Sequence, residues 1–275
     1  MPLEARVLLG WMDRDLAVKF LTEDCEFDPP LTKERAAELW AEFQARVTAL
    51  PPRTVTAPAR IPLTEQCEID GKREFLRRFR AAANVLDVIK IDPSNLIVHQ
   101  LYVVTERSRQ YEARVQTPNG WVRECLLGDG ANSNVQLQIQ SGMNLANVQL
   151  PHAEFSFSFA PQVGFQIQQF ARHVTVTEFG DRMLLWAGYH RSFARMASIA
   201  PDAIERSLVV ALTTDGVFKV SPASPNQGER EMLTGDRPPF FGDFLDPRFF
   251  MSVPLRKKRF ELQIRAQIVS IDDPT

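Results

Sequence analysis

The chain has 275 residues, 44% hydrophobic and 24% charged, a balance that suits a globular protein and excludes wholesale disorder. Its 32 basic and 34 acidic side chains leave a net charge of −2, so no global basic field draws it to nucleic acid. No apolar run approaches the roughly 18 residues of a membrane span, and no cationic-then-apolar leader opens the sequence. The cysteines Cys25, Cys67 and Cys125 form no CxxC pair, which fits a reducing compartment; together these features predict a cytoplasmic protein with no membrane partner.

In chain order, the first stretch reads as helical. Apolar residues at Leu16, Ala17, Phe20 and Leu21 form the stripe of an amphipathic helix over Asp13–Leu21. Pro29 and Pro30 break the chain, and Thr32 is placed to cap a helix running through Ala36, Leu39, Trp40, Phe43 and Val47. Pro51 and Pro52 end it, an extended connector follows to Pro62, and a further helix is predicted from Lys72 to Ala83.

From Val85 the period turns towards alternation. Strands are predicted at Val88–Ile91, Leu96–Thr105, Tyr111–Gln116 and Trp121–Leu127, the last two joined by a Thr117-Pro118-Asn119-Gly120 turn. Alternating residues predict two more, around Val135–Ile139 and Phe155–Phe159. Ser221–Arg237 reads as a loop, Pro238–Phe250 as irregular or short helical structure, and Phe260–Ile268 as a last strand. The expected class is therefore α+β, or mixed α/β: a mainly helical region at 1–84, then a β-rich portion at 85–275, the two forming either separate domains or one.

Residues 174–187 hold two alternating runs separated by Gly180-Asp181, the pattern of a hairpin. Gly188-Tyr189-His190-Arg191 follows, then a helical stretch with Phe193, Met196 and Ala197 on one face, then an apolar strand at Ser207–Thr213. Hairpin, Gly-x-His-Arg, helix and strand in this order resemble the core of the ParB/sulfiredoxin-like superfamily, over about 165–213. The resemblance implies a corner that contacts the phosphates of a nucleotide, CTP in ParB proteins and ATP in sulfiredoxins. On that reading Gly188 gives backbone access, the amide of Ser192 and its neighbours hold phosphate, and His190 and Arg191 contact phosphate oxygens. Hydrolysis or transfer would call for Mg²⁺ and a carboxylate, with Glu178 the nearest in sequence and His190 the other catalytic candidate.

The motif departs from both branches of the family. Tyr189 stands where sulfiredoxins carry their reactive cysteine, so sulfinic-acid reduction is not expected. Tyr189 and His190 replace the Glu and first Arg of the ParB Gly-Glu-Arg-Arg. Arg107-Ser108-Arg109-Gln110 is similar to another ParB motif but falls far upstream, between two predicted strands.

Each feature also has a structural reading. His190 and Arg191 could satisfy local carbonyls or pair with Glu178 or Asp181. Arg73, Arg77 and Arg80 lie at helical spacing and could form a basic patch or an ordinary solvated face, as could Arg256 to Arg259. His152-Ala153-Glu154 has the H-x-E of zinc deaminases without the P-C-x-x-C partner, and no metal site is expected. Phe240, Phe241, Phe244, Phe249 and Phe250 would be costly to expose and suit burial on the protein's own sheet or in a homo-oligomer. Three functions follow: binding of a nucleotide or phosphorylated small molecule at 188–191; a non-catalytic interaction protein with the same core as scaffold; and a DNA-binding relative of ParB, against which stand the near-neutral charge and the lack of a clear helix-turn-helix.

Overall fold

The computed structural model describes residues 3–52, 55–79, 85–115, 117–127, 136–140, 145–149, 155–160, 164–169, 173–179, 181–199, 207–213, 233–256 and 263–265. In chain order, β1 (Leu3–Val7), α1 (Arg14–Lys19), α2 (Lys33–Thr48), β2 (Arg60–Ile61), α3 (Gln66–Phe79), β3 (Val85–Ile91), β4 (Ile97–Val98) and β5 (Tyr102–Val104) come first. They lead into α4 (Thr105–Val115) and α5 (Pro118–Val122), which runs on as a π-helical turn at Arg123–Leu127. Then follow β6 (Gln136–Gln140), β7 (Leu145–Gln149), β8 (Phe155–Ala160), β9 (Gly164–Gln169), β10 (Thr175–Phe179), β11 (Arg182–Ala187), α6 (Tyr189–Ser198) and β12 (Leu208–Thr213). A 3₁₀ turn at Phe241–Leu245, β13 (Met251–Leu255) and β14 (Gln263–Arg265) complete the order.

The class is α+β. Contacts divide the chain into two units, one of residues 1–130 and 172–257, the other of 131–171 and 258–275. Residues 1–84 and 85–130 thus lie in the same unit. In the second unit, β14, β7 and β6 form an antiparallel sheet and β8 pairs with β9.

The first unit is built on a six-stranded mixed sheet in the order β2-β3-β12-β10-β11-β4. β12 runs parallel to β10 and β4 parallel to β11, while β10 and β11 form the antiparallel hairpin that the sequence predicts. A second sheet, β13-β1-β5, is antiparallel throughout. Successive strand residues face opposite sides, and β11 shows it: Met183 and Leu185 enter the main core, whereas Leu184 joins a smaller cluster with Val55, Ile97, Leu233 and Phe240. The register of the hairpin slips at Thr175/Val176, opposite Ala187 and Leu185, leaving Trp186 as the extra residue of a bulge.

Several sequence expectations hold. Thr32 caps α2, its hydroxyl accepting from the Arg35 amide at 3.2 Å. Phe241 and Phe244 are fully buried in the main core and Phe240 and Phe249 are buried too, so this cluster serves the protein's own packing. On α3, Arg73 and Arg77 pair with Asp70 and Glu74, which neutralises that face; Arg80 lies outside the described residues. Residues 221–232 of the predicted Ser221–Arg237 loop, 257–259 of the basic run and the H-x-E at 152–154 lie outside them as well.

Two predicted strands are corrected. Tyr111–Gln116 and Trp121–Leu127 are read as strands from their alternation, but the chain is helical at 105–115 and 118–127. Thr117 and Pro118 begin a helix where a hairpin turn is predicted. The Thr117 hydroxyl accepts from the Gly120 amide at 3.1 Å, and Pro118 takes the first helical position, where its missing N–H has no consequence. The helix predicted from Lys72 starts earlier, at Gln66. There Glu68 accepts from the amides of Thr64 and Glu65, and its other oxygen meets Lys90 at 2.9 Å in a buried pair. Among the described residues no helix is long and apolar enough to cross a membrane.

Candidate functional site

The sheet positions one corner with particular care. β11 ends at Ala187, and Gly188 turns the chain into α6 with φ 90° and ψ 21°, the left-handed conformation that favours glycine. A Cβ here would stand 2.7 Å from Val174 Cγ2 and 2.9 Å from Val174 Cα. Val174 cannot retreat easily, since its amide donates to the Cys125 carbonyl at 2.7 Å and its own carbonyl accepts from the Ala211 amide at 2.9 Å. The absent side chain therefore lets the helix start against the neighbouring strand. Gly188→Ala is expected to destabilise by about 2 kcal/mol, from the left-handed backbone and the overpacking together. A chemical-denaturation midpoint measures it, and an unchanged midpoint would show that the strand can yield.

Tyr189 locks the corner. Its hydroxyl donates to the Leu185 carbonyl at 2.7 Å and accepts from the amides of His99 at 3.0 Å and Gln100 at 3.3 Å. Burial pushes the phenol well above its usual pKa. His99 stacks on Trp186 with centroids 4.8 Å apart, joining the end of β4 to the bulge.

His190 occupies the first turn of α6, where no side chain caps the free amides. Its Nε2 is buried and has no hydrogen-bond partner among the described residues. Desolvation, then the guanidiniums of Arg107 and Arg191, push its pKa down to about 4. Arg107 comes from α4, which packs along α6. No carboxylate is among the charges that move His190.

Arg191 turns inwards. The residue is 4% exposed, and its Nε lies 3.5 Å from Oε1 of the equally buried Glu124 on the π-helical turn. Its guanidinium also sits 5.1 Å from the Tyr111 ring centre. Ser192 is fully buried, with its amide committed to the Gly188 carbonyl at 3.0 Å. The amides left at the start of the helix are those of Tyr189, His190 and Arg191. Glu178 lies elsewhere: it faces Met183 near the hairpin turn and pairs with Arg60 at 2.9 Å, three residues along β10 from Thr175 at the corner.

The structure thus brings Gly188, His190, Arg191 and Ser192 together, adds Arg107, and leaves Glu178 at the other end of the hairpin. Arg107 lies in the Arg-Ser-Arg-Gln run noted above, and only its placement on a helix beside α6 brings it to the corner. A separate cleft of about 500 Å³ is lined by Val55, Thr56, Ser94, Asn95, Phe240, Gly242 and Asp243. It carries a carboxylate and no cation, which does not suit phosphate. Among the described residues no group of three or more His, Cys, Asp or Glu is placed to hold a metal ion. Comparison of the chain with protein-family models, with curated proteins and with solved structures finds no match, so the geometry carries the functional argument.

Proposed function

We propose that the chain is a ParB-like protein that binds a nucleotide or another phosphorylated ligand at the N-terminus of α6. One observation carries this reading: a buried imidazole nitrogen without a partner among the described residues, in an uncapped helical turn, where the charges acting on the ring are the guanidiniums of Arg107 and Arg191. Free amides, the positive end of the helix dipole and the Arg107 guanidinium all favour an anion in the same place. The order hairpin, left-handed glycine, helix and parallel return strand supports the ParB-like part of the reading.

The residues divide the work. His190, Arg107 and the first-turn amides are the groups offered to phosphate oxygens. Arg191 acts from behind, adding positive potential and tying the helix to the π-helical turn, and Gly188 sets the turn. Binding is the function proposed, not turnover. Glu178 is held by Arg60 away from the corner and Glu124 is engaged with Arg191, so Mg²⁺ would come with the nucleotide and not through these carboxylates.

A thermal-denaturation screen against CTP, ATP, GTP and their diphosphates, with and without Mg²⁺, tests the proposal. A ligand at about a hundred times its dissociation constant stabilises by roughly 2.7 kcal/mol. At least one nucleotide is expected to do so, and Arg107→Gln to weaken its binding about tenfold or more while leaving the free protein as stable as before. A flat response across the panel would overturn the reading and leave the interaction protein as the better account.

A further inference from the structure

We infer that the cleft beside Asp243 binds a small neutral ring rich in hydroxyls, a monosaccharide or a cyclitol. The inference stands apart from the phosphate-binding reading and shares no residue with it.

Three short segments make the walls. Val55 and Thr56 come from the stretch before β2, Ser94 and Asn95 from a 3₁₀ turn at Pro93–Asn95, and Phe240, Gly242 and Asp243 from the turn at Phe241–Leu245 and its cap. The space is about 500 Å³, within the roughly 300–1,000 Å³ usual for small-molecule sites. Hydrogen bonds fix both turns: the Ser94 amide donates to Asp92 Oδ1 at 2.8 Å, and Asp243 Oδ2 accepts from the Phe240 amide at 2.8 Å. A Cβ on Gly242 would stand 3.0 Å from the Ser94 carbonyl oxygen, so glycine lets the two turns approach this closely.

The lining selects the ligand by its polarity. Val55 and Phe240 are buried and pack in one cluster, which gives the cleft an apolar floor. Thr56 and Asn95 are exposed and Ser94 is half-buried, and among the described residues the side chains of all three make no hydrogen bond. Asp243, only 4% exposed, adds a carboxylate. The cation that feels its charge, Arg248, is not part of the lining and is clasped by Asp246, with Nε at 3.0 Å and Nη2 at 2.6 Å. Two hydroxyls, an amide and a carboxylate thus offer both donors and acceptors. A ligand hydroxyl gives and accepts, so a molecule bearing several satisfies the whole set, donating to Asp243 and accepting from Asn95 Nδ2. An anion would meet the charge of Asp243, and an ammonium ion, which only donates, would leave the Asn95 N–H groups unused. The carbon skeleton of the ring suits the floor of Val55 and Phe240.

Backbone amide spectra of the full chain, followed as myo-inositol, D-glucose and D-ribose are added in turn, test the inference. At least one of the three is expected to bind saturably with millimolar affinity, its shifts gathered on residues 55–56, 94–95 and 240–243. Asn95→Ala and Thr56→Val should each weaken that binding about fivefold, the worth of one lost hydrogen bond, while the urea midpoint of the free protein stays unchanged. No saturable shift from any of the three overturns the inference, as do shifts that gather elsewhere or persist undiminished in both variants. Ethanolamine binding more tightly than the three at the same residues overturns it too, by showing that the carboxylate takes a cation.

Discussion

Arg191→Ala should lower the stability of the protein by about 3–5 kcal/mol, because it leaves the Glu124 carboxylate buried without its cation. The two side chains are 5% and 3% exposed, so water cannot replace the lost partner. A urea-denaturation midpoint at neutral pH measures the loss. The double replacement Arg191→Met with Glu124→Leu removes both charges and should recover most of it, since a buried pair costs more to break than to exchange for apolar groups. If Arg191→Ala unfolds at the wild-type midpoint, the ion pair contributes nothing to folding. The same geometry makes Arg191→Ala a poor probe of binding, as it would lower affinity through the fold, and Arg107→Gln is the cleaner variant.

Acid should unfold the protein over a defined window. His173 and His190 are both held near pKa 4, chiefly by desolvation, against an ordinary value of 6.5. Each folded pKa lies below the unfolded one, so the stability it represents is complete above about 6.5 and is lost as the pH falls towards 4. Each histidine accounts for on the order of 3 kcal/mol, from 1.36 kcal/mol per pKa unit. Denaturant midpoints between pH 7 and pH 4 should therefore fall steeply. Replacing His173, which packs edge-on against Phe75, with Asn removes one of the two titrations and should flatten the slope by about half. A midpoint that does not change across the window would show that both imidazoles reach water in the folded chain.

Much of this was legible in the sequence where local chemistry and tertiary packing agree. The hairpin at 175–187, the glycine after it, α6, β12 and the Thr32 cap all follow from periodicity and turn residues. α4 and α5 were not legible, because Tyr111, Ala113 and Val115 alternate as a strand would and Thr-Pro-Asn-Gly serves a turn as well as a helix start. That misreading hid Arg107, which looks stranded between two strands until the helix carries it to the corner. The composition of the site was visible, but its orientation was not. Nothing in Gly-Tyr-His-Arg says which side chain turns inwards, since that depends on Glu124, a residue far along the chain whose pairing draws Arg191 into the interior.

The backbone bond from Val174 to Cys125 has a consequence for how such a chain is assembled. The path leaves the first unit after Gly130 and re-enters it at Arg172, and Cys125 and Val174, a few residues inside these points, are hydrogen-bonded neighbours. Everything between is an excursion with adjacent ends, which a short turn could close as well. The excursion has the form of a graft: a module, completed by β14 pairing with β7, whose sequence can change while the strand and helix on either side keep their register.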